Sequence, residues 1–201
     1  YENNNLVWSM NVVVGKPANK TVIFNGNIQY VVFSPYWNVP ASILNKEVLP
    51  GIRRDKNYLA KHNMEWSGKS VRQKPGPNNS LGLVKFLFPN SYQIYLHDTP
   101  AKSLFGESAR AFSHGCIRLE NARKLAIYLL QNDTAWTPNK IDVAMHSGKE
   151  KTVTLKKTEP VFIAYFTSWV DRQGHLNFRK DTYGRDNPVA KMLLTTKAFS
   201  F

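Results

Sequence analysis

Apolar residues in this chain recur at every second position in short runs, and the spacing of a helix face is rare. Leu6, Trp8, Met10, Val12 and Val14 alternate with mostly polar neighbours, a period of two that turns one side of an extended strand into a core. Residues 21–24 and 28–33 flank Asn25-Gly26, a pair that supplies two positive-φ turn positions and so predicts a β-hairpin. Further strands are expected at 83–88, 93–97, 141–145 and 152–156, then a hairpin from 161–170 to 175–178 turning at Arg172-Gln173-Gly174. Helical spacing is clear only at Ala122, Leu125, Ala126, Leu129 and Leu130, behind Asn121 as N-cap, with a shorter helix expected over 188–194. The expected fold class is mostly β (α+β), with few helices.

At 201 residues the chain suits one large domain or one domain with an insertion. No apolar run reaches the ~18 residues of a membrane span. No charged-then-apolar leader is present and Tyr1 is not a start methionine, so the chain reads as a mature or excised piece of something longer. Residues 34–80 break the strand pattern with five of the eleven prolines. Tyr36, Trp37, Tyr58 and Trp66 make this stretch too aromatic for a flexible linker, and it is expected to be an inserted lid over a β core.

Charge narrows the partners. The net charge is +13, and residues 34–80 hold eight Lys and Arg against three acids. Such a surface favours polyanions: nucleic acid, acidic lipid or a carboxylate-bearing wall polymer. A helix-turn-helix pattern, an RNP-like aromatic motif and zinc-finger spacing are all missing, so nucleic acid is not expected.

Chemistry concentrates in two segments, Tyr95-Leu96-His97-Asp98-Thr99-Pro100 and Ser113-His114-Gly115-Cys116-Ile117-Arg118-Leu119. In extended chain, His114, Cys116 and Arg118 share one face and Ile117 and Leu119 the other; Tyr95 and His97 likewise share a face. Two neighbouring strands would then present Tyr, His, His, Cys and Arg together. A neighbouring His or Arg lowers a thiol's pKa from ~8.5 and makes the thiolate available near neutrality. Gly115 permits a tight turn whose amide, with that of Cys116, points at a developing oxyanion. Cys116 is the only cysteine, which excludes an intrachain disulfide framework. Zinc on His97, His114 and Cys116 is a conceivable alternative, but Asp98 and Glu120 are the only acids nearby to act as its general base, and a metal-free site without cofactor ranks above it.

Ser-His-Gly-Cys-Ile-Arg, with His97 of His-Asp-Thr-Pro nineteen residues before Cys116, resembles the signature of the YkuD-type L,D-transpeptidase catalytic domain. The stretches 11–16, 35–40, 73–77, 81–86 and 95–105 are similar to the large periplasmic YcbB-like branch of that family, and the resemblance runs over roughly 7–186. It implies a YkuD-like β-sandwich or barrel core, spanning 1–201, with 34–80 as an inserted capping subdomain.

The resemblance implies roles residue by residue. Cys116 is the nucleophile on the third residue of a peptidoglycan tetrapeptide stem, expelling the terminal D-alanine. His97 is the base and later acid, its ring held by a backbone carbonyl such as that of Asp98. A side-chain amine of a second stem takes the acyl group, giving a 3→3 cross-link. Gly115 and Cys116 supply oxyanion donors with Tyr95 close by, and His114 and Arg118 orient substrate. Ser113 fixes the turn or contributes there; Arg110 holds a stem carboxylate or is simply solvated; Trp37 and Tyr36 line the lid side of the groove or pack it. The resemblance also implies acylation by carbapenem-type β-lactams, and a periplasmic location with an inner-membrane anchor upstream. The same acyl-enzyme could instead pass to water, as in an L,D-carboxypeptidase, or to a protein lysine; a wall-binding module without turnover is the reading from another class.

Overall fold

The computed structural model describes residues 1 and 5–195. Strand β1 (Val12–Gly15) is shorter than the alternation from Leu6 predicts, because Trp8 leaves the ladder to pack edge-on against Tyr128, with the Lys124 ammonium over its ring. Strand β2 (Phe24–Phe33) runs straight through Asn25-Gly26, so the expected hairpin is replaced by one long strand. The cause is tertiary: Asn25 and Gly26 pair with Phe162 and Val161, and Gly26 lies under Phe88, where a Cβ would come within 3.3 Å of the ring.

After Ser34 the chain leaves this sheet. Residues 34–80 carry β3 (Trp37–Asn38), α1 (Ala41–Ile43), a π-helical turn (Leu44–Val48), α2 (Leu49–Arg54), α3 (Tyr58–Lys61), β4 (Met64–Ser67) and β5 (Ser70–Gln73). They form their own three-stranded sheet in the order β3-β5-β4. They also have their own core of Val39, Ile43, Val48, Met64 and Val71. The two legs of the segment are clasped together. The Ser34 N–H donates to the Leu83 carbonyl at 2.9 Å. Asn79, fully buried, donates to the Pro35 carbonyl at 3.1 Å and accepts from the Leu81 N–H at 2.8 Å.

The main sheet resumes with β6 (Val84–Leu87), β7 (Leu96–His97), β8 (Ala111–Ser113) and β9 (Ile117–Leu119). Strand β7 begins later than expected because the Asn90 side chain accepts from the Tyr92 and Ile94 amides, folding the approach into a turn. Helix α4 (Ala122–Leu130) forms where the spacing predicts it; Asn121 occupies the N-cap position but its side chain makes no capping bond. Residues 141–145 are not a strand but the end of α5 (Pro138–Met145). Thr137 caps that helix by accepting from the Lys140 amide, and Pro138 opens it. The long strand β10 (Lys151–Ile163) absorbs 161–163, leaving β11 (Ser168–Val170) and β12 (Leu176–Phe178) as the hairpin, before α6 (Asp186–Thr195).

The sheet order is β10-β2-β6-β7-β9-β1-β8, antiparallel except for the β7–β9 and β1–β8 pairs. Helix covers 27% and strand 29% of the described residues, so the class is α+β, a mixed sheet with a few short helices. One face carries Val31, Phe33, Phe86, Leu96, Ile117 and Leu119, packed against Ala122, Ala126 and Leu130 of α4 and Ile141 and Met145 of α5. Each Val, Leu, Ile, Phe or Met side chain among them contributes about 1.5–3 kcal/mol on burial. The opposite face carries Cys116, Arg118, His97 and Lys85. Among the described residues no helix is long and apolar enough to cross a membrane.

Candidate active site

The apolar residues that alternate along β7 and β9 dock one face in the core, which leaves Tyr95, His97, Cys116 and Arg118 on the other. The strands are parallel neighbours with Leu96 opposite Ile117 and His97 opposite Arg118. Cys116, two positions before Arg118, therefore lies across from Tyr95 and diagonal to His97.

The chain around the cysteine is not one extended strand. β8 ends at Ser113, β9 begins at Ile117, and between them Gly115 has φ +120°, a region L side chains rarely enter. The turn is internally bonded. Ser113 Oγ donates to the Cys116 carbonyl at 2.6 Å and accepts from the Gly115 N–H at 3.1 Å. Thr21 Oγ1 donates to the Gly115 carbonyl at 2.9 Å, and the Tyr183 hydroxyl donates to the neighbouring Gly15 carbonyl at 2.6 Å. Ser113 thus fixes the turn. The expectation that the Gly115 amide points at an oxyanion is corrected, since that N–H is already given to Ser113. Among the described residues the Cys116 N–H has no such acceptor.

The bend also separates His114 from the others. It is exposed, and its Nε2 lies 3.4 Å from Glu47 Oε1 of the π-helical turn. Expecting one continuous strand put His114, Cys116 and Arg118 on a single face; the Gly115 conformation breaks that alternation. Arg110 is not brought to the thiol either. Its Nη1 donates to the Glu107 carbonyl at 2.8 Å, and it lines an apolar groove of about 560 Å³ with Ile117, Leu119, Phe162 and Phe166, on the core-facing side of β9. Tyr36 and Trp37 both make packing contacts. The Arg72 guanidinium sits 4.0 Å over the Tyr36 ring, and Trp37 lies against the core of the 34–80 segment.

His97 is 4% exposed. Its Nδ1 bonds to the Asp98 carbonyl at 2.5 Å, so that nitrogen carries the proton and Nε2 keeps the lone pair. Burial lowers its pKa to about 4, the Arg118 and Lys85 cations push the same way, and Asp98 opposes them. The imidazole is neutral at physiological pH and can accept a proton. The Tyr95 ring lies 5.7 Å from the His97 ring.

The thiol departs from expectation. Burial raises its pKa above the ordinary thiol range, outweighing the Tyr95 amide and hydroxyl bonds and the Arg118 charge, which favour thiolate. The sulfur also lies 3.8 Å from the Gln93 carbonyl. The resting pair is therefore thiol and neutral imidazole, a combination in which a thiolate can form by proton transfer to a neutral base. Burial likewise pushes the Tyr95 phenol up, so it stays a donor. The Nε of Arg118 is buried and has no partner among the described residues, a donor left open beside the sulfur for an acceptor on a ligand.

Thr21, Gln93 and Tyr183 were not legible as site residues, and Lys85 was so only faintly. Gln93 adopts φ +56° with no glycine to announce it, and Thr21 and Tyr183 meet the cysteine turn only through the fold. Lys85 did carry a signal, being a cation between the apolar Val84 and Phe86. Among the described residues no group of three or more His, Cys, Asp or Glu side chains is placed to hold a metal ion.

A lone cysteine at the entry to one strand and a neutral, buried histidine on the neighbouring strand of a mixed sheet define a site able to support thiol nucleophile chemistry. The sequence profile of the YkuD L,D-transpeptidase catalytic domain matches residues 1–163, and the chain belongs to that family. It is also 31% identical over 210 aligned positions to a Haemophilus influenzae protein described as "Putative L,D-transpeptidase". The match covers 94% of this chain and 42% of that relative.

Proposed function

We propose that the chain is the catalytic domain of a peptidoglycan L,D-transpeptidase that forms 3→3 cross-links through a thioester on Cys116. The observation that carries this reading is the placement of Cys116 diagonal to a neutral His97 on the face opposite the core. Cys116 Sγ attacks the carbonyl carbon of the third residue of a donor stem while its proton passes to His97 Nε2. The Cys116 N–H and the Tyr95 hydroxyl face the developing oxyanion. The C–N bond to the terminal D-alanine breaks, and His97 returns the proton to the leaving amine. A side-chain amine of the acceptor stem then loses a proton to His97 and attacks the thioester, the C–S bond breaks, and the thiolate recovers the proton. Arg118 offers its open Nε to a stem acceptor group.

Residues 34–80 serve as the cap over this site, reaching it through Glu47 at His114 and through Tyr36 at Lys85. The basic surface raises the local concentration of carboxylate-bearing stems. Carbapenem-type β-lactams acylate the same sulfur, and the protein works in the periplasm, held near the inner membrane by sequence upstream. Intact-mass analysis after incubation with purified disaccharide-tetrapeptide tests the reading, with Cys116→Ala alongside. An adduct lacking D-alanine followed by a cross-linked dimer is expected. Decay of the adduct to tripeptide alone would mark a carboxypeptidase, and a folded, reduced protein with no adduct would overturn the cysteine chemistry.

A further inference from the structure

Lys85 stands beside His97 in the sheet. The two are register partners on β6 and β7, and Arg118 is the partner of His97 on β9. The row Arg118–His97–Lys85 crosses three adjacent strands on one face, with a cation on each side of the imidazole. A lysine seldom stays this far from water, since its ammonium is strongly hydrated; only 16% of the Lys85 side chain is exposed. Its Nζ lies 3.7 Å from Glu150 Oε2 and donates to the Tyr36 carbonyl at 3.5 Å. Glu150 closes the triangle by accepting from the Tyr36 N–H at 2.7 Å.

Tyr36 belongs to the outgoing leg of the 34–80 segment. The returning leg is held at the residue that follows His97, where the Asp98 carboxylate accepts from the Leu83 N–H at 3.0 Å. The same Asp98 provides the carbonyl that orients the His97 ring. Both legs are thus fastened to residues that flank the base.

We propose that Lys85 is a positioning residue for His97: its ammonium ties the outgoing leg of the 34–80 segment to the strands that carry the base, and its charge adds to burial and the Arg118 guanidinium in disfavouring imidazolium. The inference rests on His97 acting as the base. The charged groups around the ring are Arg118 from β9, Lys85 from β6 and Asp98 from its own strand. Lys102 pairs with the Asp98 carboxylate at 2.6 Å, and Glu150, from the loop after α5, partly neutralises Lys85. Removing Lys85 takes away one of two cations that disfavour imidazolium. Removing the Glu150 charge leaves the ammonium uncompensated and strengthens that effect. The two changes therefore act on His97 in opposite directions.

The test is an NMR titration of the histidine-labelled protein, with the His97 signal assigned by its loss in His97→Gln. Lys85→Met should raise the His97 midpoint from about 4 by roughly half to one pH unit. Glu150→Gln should lower it or leave it unchanged, and Lys85→Arg, which keeps the charge, should leave it at the wild-type value. A purely structural tie predicts that Lys85→Met and Glu150→Gln both loosen the leg and both raise the midpoint; that result, or an unmoved midpoint in Lys85→Met, overturns the proposal. If Lys85→Met does not fold by thermal melting, a raised midpoint in Lys85→Arg or Glu150→Gln overturns it and midpoints at or below wild type in both support it. The titration needs no substrate, so a failure to turn over stems would not disturb it, and an unmoved midpoint would leave the cysteine chemistry standing.

Discussion

His97 and Arg118 are register partners on adjacent parallel strands, so the imidazole has a guanidinium directly across from it and the Cys116 thiol on the diagonal. Burial, reinforced by that cation, keeps the ring neutral. The guanidinium also favours thiolate at Cys116, though not enough to overcome the burial of the sulfur.

The first consequence is a displaced acid limb. Because the His97 pKa is lowered to about 4, the ring proposed as the base stays unprotonated well below the ordinary histidine range, and acylation should fall only as pH drops through about 4. The unfolded state binds this proton more readily than the native one, so stability should decline as pH falls from the usual histidine value toward about 4. The contribution is up to about 3 kcal/mol at 1.36 kcal/mol per pH unit. His97→Gln should flatten that decline in thermal melts between neutral and acid pH. A wild-type acid limb near the ordinary histidine value would show that the ring is not held neutral.

Alkylation of Cys116 reports the second. With the thiol pKa raised, the rate with iodoacetamide should keep climbing with pH past the ordinary thiol range instead of levelling near neutrality. Tyr95→Phe removes a hydroxyl bond that favours thiolate and should slow alkylation at about pH 8 by roughly three- to tenfold. A plateau at neutral pH would mean a preformed thiolate.

Ser113 offers a third. Its buried hydroxyl joins the Gly115 N–H to the Cys116 carbonyl, and Ser113→Ala leaves both without that partner. A loss of about 1–3 kcal/mol in stability is expected, with a roughly tenfold or greater fall in Cys116 acylation because a displaced nucleophile loses its aim. Urea unfolding and time-resolved intact mass measure the two effects; a variant that melts and acylates like wild type would remove Ser113 from the turn's support.

Asn79 offers a fourth. Its buried amide holds the legs of the 34–80 segment together through Pro35, Lys74 and Leu81. Asn79→Ala should cost about 2–4 kcal/mol by stranding buried backbone groups, and limited proteolysis should then cut first at the legs, near Pro35 or Ser80. Cleavage elsewhere at the wild-type rate would show that the clasp is not what seats the segment.

The amino-acid sequence by itself determined which segments carry chemistry and which carry the core. The spacing of Ala122 to Leu130 sets α4, Thr137-Pro138 holds a readable helix start that the apolar residues after it obscured, and the alternation around His97 and Cys116 assigns a polar face backed by an apolar one. These are local properties, fixed by backbone periodicity and side-chain transfer free energy. Only the tertiary structure decided that Asn25-Gly26 continues a strand, because the pairing of β10 along its length outweighs a local turn preference. Tertiary contacts likewise turned His114 toward Glu47 and brought Thr21 and Lys85 to the site from distant stretches. They also set the protonation of Cys116 and His97, since that depends on how much water and which charges surround each group once the sheet has closed.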